Sequence, residues 1–252
     1  MHFAVIGSPI AHSQSPELFA EFWKSHPWST QLTYRRKEVM PNDLAEFLAD
    51  TDLAGFNVTL PNKEAIIPLL DSLTPAARAM GAVNTVVRKS SGWEGHNTDA
   101  DGFWEMLALR PDLDTLRSQD CLVLGNGGGA RAVVYALSQQ GFHGHVACRT
   151  PHGGFAWPEI SFNALAPDPR GLVVQCSSLG MHPRADQCPP LPAWRHGQVQ
   201  LAVDLVYSPT HTKFLQSMEE LGAETLHGEV MLRNQAKKAW IYWAEVLNIA
   251  DI

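Results

Sequence analysis

The chain has 252 residues, 45% of them apolar and 18% charged, with a formal net charge of -7. This is a globular composition, long enough for one large or two small domains, and too acidic for a sequence-independent nucleic-acid binder, which needs a basic face. No apolar run reaches the ~18 residues of a membrane-spanning helix, and the opening "MHFAVIGSP" lacks the cationic start and long apolar core of a signal peptide.

The first hundred residues alternate strand and helix. Phe3–Gly7 reads as a strand. "SPELFAEFWKS" reads as a helix with Ser15 as N-cap and Pro16 at the first helical position. "LTYRRKEV" alternates like a strand, "PNDLAEFLAD" is a short amphipathic helix, and "AGFNVTL" is a strand. "PNKEAIIPLLDSL" follows as a helix kinked at Pro68. Pro61 suits its first position, which places Lys63 in the first turn, beside the positive end of the macrodipole, where a cation is disfavoured. "TPAARAMG" is another short helix, and "AVNTVVRK" and "WEGHN" form a strand pair across a Gly-containing turn. Such alternation argues for a mostly parallel sheet.

"TDADGFWEMLAL" (Thr98–Leu109) is a connecting helix. A second alternating unit starts at "DCLVLGNGGGARAVVYALSQQG". Residues 151–170, rich in Gly, Pro and polar side chains, interrupt it. "GLVVQCSS" and "VQLAVDLVY" resume as buried strands. A final helix, roughly Glu229 to Asn248, carries Ala236, Ala239, Trp240, Trp243, Val246 and Leu247 at helical spacing. Cys121, Cys148, Cys176 and Cys188 form no C-x-x-C pair. The first three sit in strand-like apolar runs, as buried free thiols of a cytoplasmic protein do.

Gly125-x-Gly127-x-x-Ala130 follows a strand and opens a helix, the context a dinucleotide-binding turn requires. Gly125 permits the tight turn, Gly127 lets backbone N–H groups approach a pyrophosphate, and Ala130 allows close helix–strand packing. The competing reading is a glycine-rich turn that binds nothing. The next strand, "GHVACRT", ends in Arg149-Thr150 where an NAD site would carry Asp or Glu for the ribose 2′-OH. A guanidinium there suits a 2′-phosphate, so NADP is favoured over NAD. An exposed loop arginine is the alternative. No G-x-S-x-G elbow is present, and "HGH" (His143–His145) lacks partners at ligand spacing, so no metal is expected.

Seven motifs occur in order: "GSPIAHSQSP" (7–16), "NVTLPNK" (57–63), "GAVNT" (81–85), "GHNTDADG" (95–102), "GNGGGARA" (125–132), "DLVYSPTHT" (204–212) and "GEVMLRNQA" (228–236). The series resembles the shikimate dehydrogenase family over nearly the whole chain. The resemblance implies two α/β domains with a cleft between them. Residues 1–100 and 229–252 would bind substrate on a mostly parallel sheet, and 101–228 would form a Rossmann-like NADP domain. It implies reversible NADP-dependent reduction of 3-dehydroshikimate to shikimate, a small-molecule partner, and a monomer or homodimer.

Matched residue by residue, Lys63 is catalytic with Asp99 as its partner, a coupled unit able to give and take the proton that carbonyl–alcohol interconversion needs. A solvated lysine, and a helix cap at Asp99 competing with Asn97 and Thr98, are the bland alternatives. Ser13 and Ser15 match the carboxylate donors. Asn57 and Thr59, two apart on a strand, share a face, and the resemblance turns that face to the substrate. Asn84, Tyr207 and Gln235 match further substrate contacts. Met231 and Gln235 are i, i+4 on one helix. Gly228, Met231 and Leu205 match the nicotinamide edge. Gly125, Asn126, Gly127, Gly128, Gly129, Ala130, Cys148, Arg149 and Thr150 match the rest of the cofactor site.

The chain departs from the family pattern in four places. The usual "SPxxHN" is Ser15-Pro16-Glu17-Leu18-Phe19-Ala20. The usual "NRT" with a second basic residue is Cys148-Arg149-Thr150, then Pro151-His152-Gly153-Gly154. The usual "NxTxxGM" is Gln175-Cys176-Ser177-Ser178-Leu179-Gly180-Met181. The cofactor domain is short between 151 and 170. Three readings stay open: an NADP-dependent shikimate dehydrogenase, a sister enzyme using quinate or NAD, and a shikimate-binding module with little turnover.

Overall fold

The structure, a computed structural model, describes residues 1–24, 26 and 29–249. Ser25, the end of the expected first helix, and 250–252 lie outside the described residues. The chain forms two compact units. One is Met1–Asp99 with the chain from Arg233 onward, and the other is Ala100–Leu232.

The first unit runs β1 (His2–Gly7), α1 (Ser15–Trp23), β2 (Thr33–Glu38), α2 (Leu44–Asp50), β3 (Gly55–Val58), α3 (Asn62–Ala65), β4 (Ser72–Leu73), α4 (Pro75–Met80), β5 (Thr85–Lys89) and β6 (Gly92–His96). The sheet order is β2-β1-β3-β5-β6-β4. β1 pairs in parallel with β2 and β3, and β5 runs antiparallel to β3 and β6. β1 is buried from Phe3 to Gly7, whereas β2 is exposed along most of its length. The charged run Arg35-Arg36-Lys37 therefore lies on an edge strand, where charge opposes pairing with another chain.

Three local expectations are corrected. Ser15 is the first helical residue of α1 rather than its cap, because Gln14 occupies the cap position and the Ser15 hydroxyl is engaged by Ser13. Pro61 holds the cap position of α3, not the first helical one. The helix expected through Leu73 stops at Ala65, and a 3-10 turn, Ile67–Leu69, contains Pro68. Proline has no N–H for the helical ladder, and its ring would strike the carbonyl four residues earlier. α4 behaves as its sequence suggests: Thr74 Oγ1 accepts the Ala77 N–H and Gly81 closes the helix at φ 64°.

Helix α5 (Asp99–Leu107) belongs to the second unit from Ala100 onward. After it come α6 (Leu113–Arg117), β7 (Cys121–Leu124), α7 (Gly128–Gln139), β8 (Gly144–Cys148), β9 (Glu159–Ser161), β10 (Arg170–Gln175), β11 (Val199–Asp204), α8 (Lys213–Glu220) and β12 (Glu224–His227). The sheet order, β12-β11-β10-β7-β8-β9, is all parallel. This is the doubly wound dinucleotide-binding arrangement, and strand order reverses between β7 and β10, where ligands of such sheets bind. β7 and β10 are buried throughout, as strands covered on both faces must be. The four cysteines are free. Cys121 and Cys148 are buried, while Cys176 lies just past β10 and only part-buried. α6, β9, α8 and β12 have no counterpart among the elements expected from the sequence.

The final helix, α9 (Glu229–Leu247), starts in the second unit and continues into the first. Ala236, Ala239, Trp240 and Trp243 are buried. Trp243 stacks on Phe3 at 4.8 Å and donates its indole N–H to the Val86 carbonyl at 2.9 Å. A Cβ on Gly55 would come within 2.8 Å of that indole nitrogen, so glycine is required by close approach. Among the described residues no helix is long and apolar enough to cross a membrane.

Two tests follow from these cores. Trp243→Ala removes the stack on Phe3 and the indole N–H bond to the Val86 carbonyl, and should cost about 3–5 kcal/mol, read from the urea midpoint. In the second unit, burial pushes Asp204 up to about 6 despite hydrogen bonds from Thr212 Oγ1 and the Val206 N–H. Its folded pKa lies above its ordinary 3.8, so the folded state holds a proton that the unfolded state loses, and this group's contribution falls as pH rises from about 4 to 6. Thr212→Val removes the donor to the ionised carboxylate as well as the α8 cap. Its destabilisation should be about 1.5–3 kcal/mol at pH ~8 and smaller at pH ~5, read by thermal melts.

Candidate active site

Three backbone features bring the polar residues of the first unit together. β3 leads into α3, which carries Lys63, and the Lys63 carbonyl accepts the Val83 N–H at 2.8 Å. β5 and β6 pair so that Thr85 faces His96, and the Asn84 N–H reaches the His96 carbonyl at 3.1 Å. Residues 97–99 therefore emerge beside Asn84. Asn97 Oδ1 accepts the Asp99 N–H at 2.9 Å, which leaves the Asp99 carboxylate free for other work.

That carboxylate is buried and takes Lys63 Nζ on Oδ2 at 2.5 Å. Its Oδ1 accepts Asn84 Nδ2 at 2.8 Å. The Lys63 side chain is 15% exposed, so it is not fully enclosed. Asn84 cannot be turned over: its Oδ1 accepts the Thr98 N–H at 2.8 Å and the Thr85 hydroxyl at 2.8 Å. Its Nδ2 also reaches Gln235 Oε1 at 3.3 Å. Asn57, likewise buried, gives Nδ2 to the Asn84 carbonyl at 3.1 Å and to Thr85 Oγ1 at 3.2 Å. Lys63, Asp99, Asn84, Asn57 and Gln235 thus form one connected set.

Ser13 and Ser15 form a second group. Ser13 Oγ donates to Ser15 Oγ at 3.2 Å, and both are buried. Arg36 braces them, with Nε on the Ser13 carbonyl at 2.7 Å and Nη2 on Glu17 at 2.6 Å. One residue outside all seven motifs links the two groups. Tyr34 donates to Asn57 Oδ1 at 2.6 Å. Burial raises its phenol well above its ordinary pKa, against a lowering by the adjacent Ser15 hydroxyl. Nothing in the edge strand "LTYRRKEV" marks Tyr34, since only the parallel register of β2 and β1 places it. Thr85 and Thr98 were also missed as partners, although both lie inside motifs singled out for their neighbours. Phe19, which replaces the histidine of the usual motif, stacks on Tyr34 at 4.2 Å. Thr59 lies just past the end of β3, where its N–H still bonds the Ile6 carbonyl at 2.9 Å.

The second unit holds the other set. Gly125 has φ 105°, and a Cβ there would press within 3.2 Å of Ser177 N. Gly127 caps the twelve-residue α7 without a side-chain cap, and a Cβ on it would meet open space. Unfilled space over a helix N-terminus fits a pyrophosphate. Gly128 opens α7, and Ala130 is buried against the sheet. Gly129, Leu205 and Gly228 cluster: a Cβ on Gly129 would lie 3.5 Å from Leu205 Cδ1, and one on Gly228 would lie 2.3 Å from the Leu205 carbonyl. Met231 is buried, and Tyr207, in this same unit, is half-buried. Arg149 and Thr150 are exposed after β8. Cys148 is buried, and its thiol faces Glu159 and the Ile160 carbonyl. Gln175, which replaces the usual asparagine, closes its own loop by giving Nε2 to the Leu179 carbonyl at 2.8 Å and accepting the Ser177 N–H at 2.5 Å. Among the described residues no group of three or more His, Cys, Asp or Glu could hold a metal ion.

Residues 5–86 match the shikimate dehydrogenase substrate binding domain. The shikimate dehydrogenase (NADP(+)) of Desulfitobacterium hafniense (strain Y51) is 36% identical, over 97% of this chain and 92% of that protein. The enzyme of the same name from Moorella thermoacetica is 36% identical, over 95% and 86%. Among solved structures, shikimate 5-dehydrogenase from Thermus thermophilus, in complex with NADP(H) and shikimate, superposes with a TM-score of 0.79 at 32% identity, covering 97% of this chain and 94% of that one. Likeness of this extent, spanning both units and every motif that builds the two polar sets, places the chain in the shikimate dehydrogenase family.

Proposed function

We propose that this protein catalyses the reversible NADP-dependent reduction of 3-dehydroshikimate to shikimate, a step of aromatic amino-acid and chorismate biosynthesis. The first unit binds the substrate and the second the cofactor. The observation that carries the reading is the Lys63–Asp99 contact of 2.5 Å inside a buried polar network.

Bound NADPH supplies the hydride. The chain's own residues handle the oxygen that gains or loses a proton. Lys63 donates to that oxygen as the carbonyl becomes an alcohol and takes the proton back in the reverse direction, in the manner of general acid–base catalysis. Asp99 holds the ammonium in place and shares the proton load. Asn84 holds Asp99, so the pair acts as a unit fixed before substrate arrives. Ser13 and Ser15 donate to the substrate carboxylate. Asn57, Thr59 and Gln235 meet its hydroxyls, and Tyr34 orients Asn57. In the second unit the Gly125–Ala130 turn and the start of α7 take the pyrophosphate, and Arg149 and Thr150 take the 2′-phosphate. Leu205, Gly228 and Met231 flank the nicotinamide. The enzyme works in the cytoplasm as a monomer or homodimer.

Initial rates of nicotinamide reduction, with shikimate or quinate against NADP or NAD, test this reading. Shikimate with NADP should be the best pair. Lys63→Ala should lower kcat by roughly 10²–10⁴-fold in protein that a thermal melt shows to be folded, and Asp99→Asn should lower it in the same direction. Preference for quinate would move the substrate assignment, and no turnover by folded protein in any pairing would overturn the enzyme.

A further inference from the structure

The loop after β8 carries an anion that the chain supplies itself. β9 pairs in parallel with β8, which brings Glu159, the first residue of β9, to the side of the cofactor turn. Glu159 Oε2 accepts the backbone N–H of His152 at 3.2 Å and that of Gly153. Its Oε1 accepts Asn126 Nδ2 at 3.2 Å and the Cys148 thiol at 3.8 Å. Asn126 is the middle residue of Gly125-Asn126-Gly127, and its Nδ2 also reaches the Thr150 carbonyl at 3.1 Å. One carboxylate therefore touches both the glycine turn and the loop that ends the next strand. Those two segments flank the ribose 2′ position in a dinucleotide fold.

Burial raises the Glu159 carboxyl, but hydrogen bonds from Asn126, Gly153 and His152 outweigh this and hold it below the usual carboxylate range. It is charged at neutral pH. Arg149, exposed just after β8, and Arg131 on α7 are positive side chains of this same region. Arg131 gives Nη1 to the Gly154 carbonyl at 3.2 Å and lies over the Phe155 ring at 5.1 Å, which ties the far end of the loop to α7.

Two effects then act in the same direction. Successive N–H groups in such a loop make an anion-binding nest, and here two of them are already given to a carboxylate. That carboxylate also repels a phosphate dianion, whereas a ribose 2′-OH can donate to it. We propose that Glu159 is a specificity-determining residue that opposes Arg149 and narrows the preference of this chain for a 2′-phosphorylated dinucleotide over its unphosphorylated counterpart. The inference rests on the second unit being the cofactor domain.

Calorimetric dissociation constants of NADP⁺ and NAD⁺, measured on the full chain without substrate, test it. Glu159→Gln keeps the side chain's size and one accepting oxygen while removing the charge. It should tighten NADP⁺ by ~3–10-fold, as expected for losing one nearby like charge, and leave NAD⁺ unchanged or weaker. The gain should shrink at high salt. Arg149→Gln should move the ratio the opposite way. A thermal melt of each variant shows that it is folded. If the wild type binds both dinucleotides and Glu159→Gln leaves their ratio unchanged, or weakens NADP⁺, the role of Glu159 is overturned while the cofactor domain stands. If the folded wild type binds neither, the cofactor reading falls and the inference with it.

Discussion

The Asn84 side chain is the fixed point on which the Lys63–Asp99 pair depends. A lysine ammonium and a carboxylate brought out of water lose hydration that their mutual attraction restores only when the remaining lone pairs are also satisfied. Asn84 does this for Asp99. Its amide hydrogens go to Asp99 Oδ1 and toward Thr98 and Gln235, and its oxygen is held by the Thr98 N–H and the Thr85 hydroxyl. A backbone N–H can only donate, so the amide has one orientation and the carboxylate has one place. Lys63 is then held by a single short contact. Each bond in such a chain polarises the next, and this is why a fully satisfied network holds its geometry.

The second unit solves a different problem with backbone rather than side chains. Its parallel sheet places the β7–α7 turn at the point where strand order reverses. Gly125 adopts a conformation that other residues rarely take, and Gly127 leaves the helix N-terminus uncovered. The binding surface is made largely of N–H groups, so what decides selectivity is the charge set around it. On the proposed reading, Arg149 and Glu159 pull in opposite directions there.

Departures from the family pattern have local physical answers in two of the four places. Gln175 is one methylene longer than asparagine, and its amide reaches the 177 and 179 carbonyls as well as the Ser177 N–H, so the loop beside Gly125 keeps its anchor. Phe19 stacks on Tyr34, so an aromatic contact stands where a histidine is usual, and Tyr34 remains in line with Asn57. Beside the Cys148-Arg149-Thr150 segment, Glu159 accepts the Cys148 thiol and the N–H groups of His152 and Gly153.

Local signals in the chain determined a good deal. The strand, the glycine spacing and the small Ala130 announced the dinucleotide turn, because backbone conformation and close packing depend on the residues at those positions alone. The apolar spacing of Ala236, Ala239, Trp240 and Trp243 announced the buried face of α9. Short elements with little periodicity, such as β4, β9 and β12, were invisible, since a strand of two to four residues is made by its neighbours rather than by its own pattern. The expected helix through Leu73 failed because Pro68 outweighed the apolar spacing around it. Lys63 and Asp99 were named as a pair only through resemblance, because residues 36 apart acquire a common site only when β5 and β6 fold back and set Asn84 against Thr98. Tyr34 and Glu159 had no signal at all. Each owes its place to strand register, β2 on β1 and β9 on β8, and register is fixed by the packing of the whole sheet.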